Sequence, residues 1–581
     1  MSLWEQRDAP PRVVHTLEQA GIHPLLARVW AARGIRQAEE LDDHLQHLLP
    51  PQHLHQAEAA AQRLAQAIAL GEAMCIVADY DCDGATACAV AWRGLRLLGA
   101  QPEQLHYVVP DRSVHGYGLT PAIVDLAVQQ AGPGGLKLLI TVDNGIASVE
   151  GVAHARALGL SVLVTDHHLP ADQRPDAQVI VNPNQAGCDF GSKHLAGVGV
   201  MFYVLLALRS EWRRQGRYSH SEQPRLDSLL DLVALGTVAD VVRLDANNRR
   251  LVSQGLKRIR AGRMQAGIRA LFKVAGRECS EASAQDFGFT LGPRLNAAGR
   301  LADMTLGIEC LITDDPARAE ALALTLDGIN RDRRKVESAM REQADAQLGQ
   351  VFDLQGLEEC PSALTVFDER FHEGVVGIVA GRLKDRLHRP VFVLARAQDG
   401  SIKGSGRSIE GFHLRDALDW VSKRAPGVLL RFGGHAMAAG CTLHPQRLPE
   451  FTAALQEVAG LWMDEGTLQR RWRTDGPLPP GCYHPEVAQL LAQQVWGQGF
   501  EAPLFCDEVQ VLSQRRVGEN HLKLVVKPLN DLRAAPREAI WFQREEAVAD
   551  RARLAYRLEL NEWQGRQQVQ MRVQAGEALG P

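Results

Sequence analysis

No apolar run in this chain approaches the roughly eighteen residues that a membrane-spanning helix requires. The opening Met1-Ser2-Leu3-Trp4-Glu5-Gln6-Arg7 holds no apolar stretch of the secretory-signal kind. The expectation is a cytoplasmic protein with no membrane association. The ten cysteines are scattered without a CxxC pair, which argues against a zinc site of that spacing and fits idle thiols in a reducing compartment. A formal net charge of -5 gives no whole-chain sign of a nucleic-acid partner. Long repeats and low-complexity tracts are also missing. Hydrophobic content of 45% and charged content of 23% over 581 residues leave an ordinary globular chain of three or four domains.

Three short apolar runs each end in a burst of carboxylate or histidine. Met74-Cys75-Ile76-Val77-Ala78 runs into Asp79-Tyr80-Asp81-Cys82-Asp83-Gly84, Leu138–Val142 into Asp143-Asn144-Gly145, and Val162–Thr165 into Asp166-His167-His168. Each run reads as a buried parallel strand. The carboxyl ends of such strands line the ligand crevice of an open α/β sheet, so the acidic tips are expected to converge. That many carboxylates raise one another's pKa values unless cations sit among them. The reading is a site for two divalent metals.

Asp79, Asp81 and Asp83 recur at period two, so a continuing strand points all three to one side. Gly84 then permits a sharp turn. The competing reading is an acidic loop that caps the next helix. His167 and His168 are consecutive, so their side chains are expected to diverge, one toward metal and one toward substrate. Asp240 ends an apolar helical stretch, where a carboxylate opposes the helix dipole unless a cation compensates. Mixed carboxylate and imidazole donors favour Mn²⁺, with Mg²⁺ a workable substitute.

The βαβ rhythm of residues 72–245 predicts a parallel sheet with helices on both faces. Asp315-Pro316 is a good helix start, and the next proline is Pro361, so a long connecting helix is predicted over 316–350. A second α/β lobe begins near Ala363, and Gly433-Gly434-His435 is read as opening a helix. Short alternating runs after 465 predict a small antiparallel barrel or sandwich. The expected domains are an N-terminal helical cap (1–60), a parallel-sheet catalytic domain (61–245), a helical region with the long helix (246–352), a second α/β domain (353–462) and a β-barrel (463–581).

The blocks Ala78–Gly84, Val142–Gly145, Thr165–His168 and Gly236-Thr237-Val238-Ala239-Asp240 resemble the four motifs of the DHH phosphoesterase superfamily. Gly433–Gly440 resembles the glycine-rich signature of its DHHA1 partner domain. Pro293–Arg300 and Ser405-Gly406-Arg407-Ser408 narrow the match to the RecJ family of bacterial single-strand-specific exonucleases. The resemblance covers nearly the whole chain. It implies an OB-fold tail, 5′→3′ digestion of single-stranded DNA to 5′-mononucleotides, and a place in repair and recombination. It implies metal binding by Asp81, Asp83, Asp143, His167 and Asp240, support from Asp79 and Asp166, and His168 beside the scissile phosphate. The implied partners are single-stranded DNA, single-strand-binding protein and recombination or repair helicases, with the chain a monomer.

An exonuclease that starts at a 5′ end needs a phosphate anchor, and the arginine fork suits one. The candidates are Arg407 with Ser405, the supposed helix start at Gly434 and His435, and Arg112, Arg294, Asn296 and Arg300. Residues 371–435 hold eleven Lys/Arg against six Asp/Glu. In the tail, Trp541, Phe542, Tyr556 and Trp563 lie among cations; the readings are barrel core or stacking platforms for bases. Two alternatives stand beside the exonuclease: a DHH phosphodiesterase of oligoribonucleotides or cyclic dinucleotides, and a non-catalytic DNA-binding relative.

Overall fold

A computed structural model describes residues 3–110, 115, 118–171, 173–351, 361–518, 520–531, 533–563 and 566–580. Arg112 lies outside the described residues, as does the side chain of Trp563. The chain forms two compact units: Gln6–Asp327 with Arg473–Pro581, and Met1–Glu5 with Gly328–Trp472.

The larger unit is built on five parallel strands: β1 (Ala73–Ala78), β2 (Leu105–Val108), β3 (Leu136–Val142), β4 (Ser161–Thr165) and β5 (Val179–Val181), in the spatial order β2-β1-β3-β4-β5. β1, β3 and β4 are apolar and almost wholly buried, as strands covered on both faces must be. Its helices include α1 (Ala57–Leu70), α2 (Cys82–Leu97), α3 (Pro121–Ala131), α4 (Val149–Ala157), α5 (Gly197–Arg214), α6 (Leu230–Ala239) and α7 (Gly292–Leu301). The register is the feature that matters for function. Ala78 pairs with Val142, Val142 with Thr165, and Thr165 with Val181. The strands therefore end level, and the residue after each one falls on the same edge of the sheet. Asp79, Asp143 and Asp166 each extend the ladder by one bond, donating N–H to the carbonyls of Val142 (3.3 Å), Thr165 (3.0 Å) and Val181 (3.1 Å).

Helix α8 (Pro316–Val351) starts where the sequence predicts, with Asp315 Oδ1 accepting the Ala317 amide at 2.9 Å. The division between the units falls within it. The smaller unit has five strands, β6 (Leu364–Phe367), β7 (Val391–Arg396), β8 (Ile402–Arg407), β9 (Leu429–Gly434) and β10 (Ala438–Leu443), ordered β9-β10-β8-β7-β6. Helices α9 (Val376–Leu387), α10 (Leu414–Arg424) and α11 (Leu448–Trp462) complete it. The helix expected at Gly434-His435 is not there. Gly434 pairs with Ala439, and His435 donates its amide to the Ala438 carbonyl at 2.7 Å. The glycine-rich block is a β-hairpin, because alternate residues of β10 pack into the core from a strand that pairs on both edges.

The tail forms a five-stranded barrel from β11 (Phe505–Val517), β12 (His521–Pro528), β13 (Arg537–Phe542), β14 (Arg551–Trp563) and β15 (Arg566–Ala578). It is not wholly antiparallel, since β13 and β15 run parallel. Tyr556 is fully buried inside it against Phe505, so its role is core. Phe542 is 44% exposed and carries Arg572 over its ring at 5.4 Å.

Residues near the N-terminus meet the start of the tail through one buried ion pair. Arg33 grips Asp475 with both terminal nitrogens, at 2.7 and 3.1 Å, and each side chain is 2% exposed. Arg33→Met leaves that carboxylate buried without its cation. It is expected to cost about 3–5 kcal/mol, read as a lowered midpoint in denaturant unfolding.

Candidate metal centre

The three strand tips and the end of α6 bring their acidic side chains to one place. The donor atoms of Asp79, Asp81 and Asp143 lie within 4.8 Å of one another. The same holds for Asp83, His167 and Asp240, and for Asp143, His167 and His168. His167 Nε2 stands 3.1 Å from Asp143 Oδ1, 3.5 Å from Asp240 Oδ2 and 4.0 Å from Asp83 Oδ2. The groups share Asp143 and His167, so the cluster is continuous.

The acidic loop reaches this arrangement differently from the strand continuation expected of its period. β1 stops at Ala78 and α2 begins at Cys82. Asp81 is the N-cap of α2, its Oδ1 accepting the Gly84 amide at 3.0 Å. The capping reading and the cluster reading are therefore both true of Asp81. Asp83 sits in the first helical turn, fully buried. Its carboxylate accepts the first amides of α5, from Gly197 at 2.6 Å and Val198 at 2.9 Å. Helix N-termini favour anions in this way. Gly84 is needed for approach rather than for a turn, because a Cβ there would stand 2.4 Å from the Asp79 carbonyl oxygen. Gly197 is needed likewise, since its Cβ would meet Asp143 Cβ at 2.5 Å. Asp143 has φ +63°, a left-handed conformation that aspartate tolerates.

A second set of polar groups holds the first in place. Asp166 Oδ1 accepts the amides of His167 (2.7 Å) and His168 (3.0 Å) and lies 2.7 Å from His168 Nδ1, while Oδ2 accepts the Ile146 amide at 2.9 Å. Asn182 and Asn184 donate their side-chain amides to the carbonyls of His168 and His167, at 2.9 and 2.7 Å. Asn144 donates to the carbonyls of Val77 and Val142, at 3.0 and 2.9 Å, and so ties β1 to β3 just behind the tips. Because its backbone is fixed at both residues, the His167–His168 pair does not diverge as expected. The two rings lie 4.4 Å apart.

The electrostatics are those of crowded carboxylates. Burial, and then the charges of its neighbours, push Asp79, Asp143 and Asp240 well above the usual carboxylate range. Burial and the charge of Asp81 push Asp83 up to about 7, against the two α5 amides that hold it down. Burial would raise Asp166, but the His168 hydrogen bond and charge outweigh it and hold Asp166 low. Burial lowers His168, yet the Asp166 hydrogen bond and charge carry it up to about 9. Asp143 Oδ1 and Asp240 Oδ2 are buried and accept no hydrogen bond among the described residues. Buried acceptor oxygens without donors cost stability, and cations supply what they lack. The oxygen and imidazole donor set suits Mn²⁺ or Mg²⁺, and no cysteine belongs to the cluster.

The expected phosphate ligands fall in different surroundings. Asn296 Oδ1 accepts the Cys82 amide at 2.7 Å, so it positions the acidic loop. Arg294 is buried and bonded to Asp327 through Nε at 3.0 Å and to the Thr290 carbonyl at 2.6 Å. This makes it a brace between α7 and α8. Arg300 is half-buried in the last turn of α7. In the smaller unit, Ser405 and Arg407 occupy the same face of β8, with Arg407 Nη1 donating to Ser405 Oγ at 3.0 Å. Both side chains reach the first turn of α9, where a Cβ on Gly377 would stand 2.9 Å from each. The helix N-terminus beside Arg407 is therefore that of α9. Gly434 and His435 are exposed in the hairpin turn.

Sequence reasoning missed Asn144, Asn182, Asn184 and the α5 amides. The signals were Val181-Asn182-Pro183-Asn184 directly after a strand, and Gly197-Val198-Gly199 opening an apolar helical run.

The raised carboxyls fix the sign of one pH effect. In the cation-free protein they hold protons that the unfolded chain has released, so stability is present at acid pH and falls as pH rises toward and through about 7. Asp143→Asn removes one buried charge. At pH 8 under chelation it is expected to melt a few degrees above the parent, and to lose most of the parent's stabilisation by added Mn²⁺; differential scanning calorimetry reads both.

The comparisons with known proteins agree with this geometry. Residues 73–237 match the model of the DHH family, N-terminal domain; 361–460 match the DHHA1 domain; and 474–575 match the RecJ OB domain. The chain is 46% identical over 561 residues to the single-stranded-DNA-specific exonuclease RecJ of Escherichia coli (strain K12), covering 95% of each protein. It is 34% identical to the same-named protein of Bacillus subtilis (strain 168), over 98% of this chain and 70% of that one. Among solved structures, RecJ from Thermus thermophilus in complex with Mn²⁺ matches with a TM-score of 0.81 at 30% identity. That match covers 100% of this chain and 80% of the other. A Mg²⁺ complex from the same source matches with a TM-score of 0.76. With these three domains matched along its length and relatives of 34–46% identity over 95% or more of it, the chain belongs to the RecJ family of single-stranded-DNA-specific exonucleases.

Proposed function

We propose that the chain is a divalent-cation-dependent 5′→3′ exonuclease that hydrolyses single-stranded DNA to 5′-mononucleotides in repair and recombination. The observation that carries this reading is the cluster itself: five buried or half-buried aspartates and two histidines from separate stretches crowd their donor atoms at one sheet edge. Asp81, Asp83, Asp143, His167 and Asp240 would hold two cations, Mn²⁺ in preference to Mg²⁺, with Asp79 and Asp166 in support. Such cations, when bound, neutralise phosphate charge and let water lose its proton near neutral pH. His168, held at Nδ1 by Asp166, orients the scissile phosphate or assists with a proton. Ser405, Arg407 and the first turn of α9 bind a terminal 5′ phosphate through an arginine fork and backbone amides. The exposed Phe542 with Arg572 offers a stacking face for unpaired bases.

Two substitutions test the reading. Asp83→Ala is expected to lower Mn²⁺-supported hydrolysis of a labelled oligonucleotide by at least about a thousandfold, with its circular dichroism unchanged. Turnover near that of the parent would remove Asp83 from the site. Arg407→Ala is expected to raise KM roughly tenfold or more for 5′-phosphorylated strands and to change little on 5′-hydroxyl strands. Equal losses on both would remove the anchor.

A further inference from the structure

The segment Gly288–Gly299 runs along the cluster. A Cβ on Gly288 would stand 3.7 Å from Val238 Cγ1, and one on Gly292 would stand 3.1 Å from Ala239 Cβ. Asn296 holds the Cys82 amide, and Gly299 packs directly on the Tyr80 carbonyl. The beginning of the segment thus abuts the helical turn that delivers Asp240, and its end abuts the loop that delivers Asp81. Phe287–Leu291 forms a π-helical turn, a geometry frequent at functional sites. Phe289, in this turn, is 72% exposed.

Two more exposed apolar residues directly follow cluster residues in the chain. Val241 directly follows Asp240 and is 63% exposed; Leu169 directly follows His168 and is 67% exposed. Val241 also has φ +62°, a left-handed backbone that crowds a β-branched side chain. Scattered exposed apolar residues need no explanation. Three of them in segments that carry or abut cluster residues, one in a strained conformation and one in a π turn, do need one.

We propose that Phe289, Val241 and Leu169 form a base rest, against which the nucleobases flanking the scissile phosphodiester lie. The proposal rests on the exonuclease reading above. A phosphodiester seated at the cluster necessarily brings a nucleoside on each side, so the occupant of an apolar rim there is the substrate's own bases. None of the three side chains carries a hydrogen-bonding group, so the contact is blind to base identity, as stacking contacts are. Inside a duplex the faces of the bases are covered by their stacked neighbours, whereas an unpaired strand can unstack and offer them.

The test uses the full-length protein with Mn²⁺ and 5′-phosphorylated oligonucleotides whose first three linkages are phosphorothioates that resist cleavage. One strand is intact, and the others carry an abasic site at the first, second or third position. Binding is read by fluorescence anisotropy, and hydrolysis of an ordinary strand is read in parallel. The parent is expected to bind at least one abasic strand roughly tenfold more weakly than the intact one. Phe289→Ala and the double substitution Phe289→Ala/Val241→Gly are expected to bind the intact strand about as weakly, with no further abasic penalty. Melting curves no lower than the parent's confirm that these exposed positions leave the fold intact. A parent indifferent to abasic sites, or a double variant that keeps the full penalty, overturns the base rest even when hydrolysis is normal. Failure of the parent to hydrolyse the ordinary strand overturns the exonuclease reading instead, and leaves the anisotropy result to decide the rest by itself.

Discussion

The whole site depends on the register of one parallel sheet. Because Ala78, Val142 and Thr165 end level, the residues after them share one edge, and all three are aspartates. The same ladder that fixes the fold fixes this edge, since the amides of Asp79, Asp143 and Asp166 bond to the neighbouring strand. A shift of one strand by one residue would reverse which side chains face the crevice. Geometry this strict is what a multi-carboxylate centre needs, because charges that repel one another disperse unless the backbone beneath them is rigid.

The structure separates the groups that carry charge from those that hold them. Asp83, Asp143 and Asp240 crowd one another and resist ionisation. Asp166 stays ionised by accepting three backbone amides and facing His168. Asn144, Asn182 and Asn184 spend their side-chain amides on backbone carbonyls around the tips. Gly84 and Gly197 let backbone and helix terminus come closer than any side chain permits. These supports do no chemistry, but without them the donor atoms would not stay within a coordination distance.

The central sheet and the cluster were legible because local pattern and function coincide there. An apolar run followed by carboxylate states both a strand and its tip, and Asp81, Asp83, Asp143, His167 and Asp240 all follow such runs or an apolar helix. Long-range partners were not legible. Nothing local to Asn296 shows that it caps the Cys82 amide 214 residues away, and nothing local to Arg294 shows its brace to Asp327. The Ala-rich block after His435 has helical composition, yet pairing on both edges of β10 overrides propensity. The edge strand β2 and the barrel strand β13 escaped notice, the first because it is only four residues long, the second because it follows a Pro-containing turn and alternates weakly. The DHH and DHHA1 motifs carried the family assignment, which residue patterns alone would have left as a generic two-metal crevice.

The most direct test of the central claim is anomalous diffraction at the manganese edge from crystals of this protein soaked in Mn²⁺. The account predicts two peaks within the cluster, among Asp81, Asp83, Asp143, His167 and Asp240. Peaks elsewhere on the molecule, with none at this sheet edge, would contradict it.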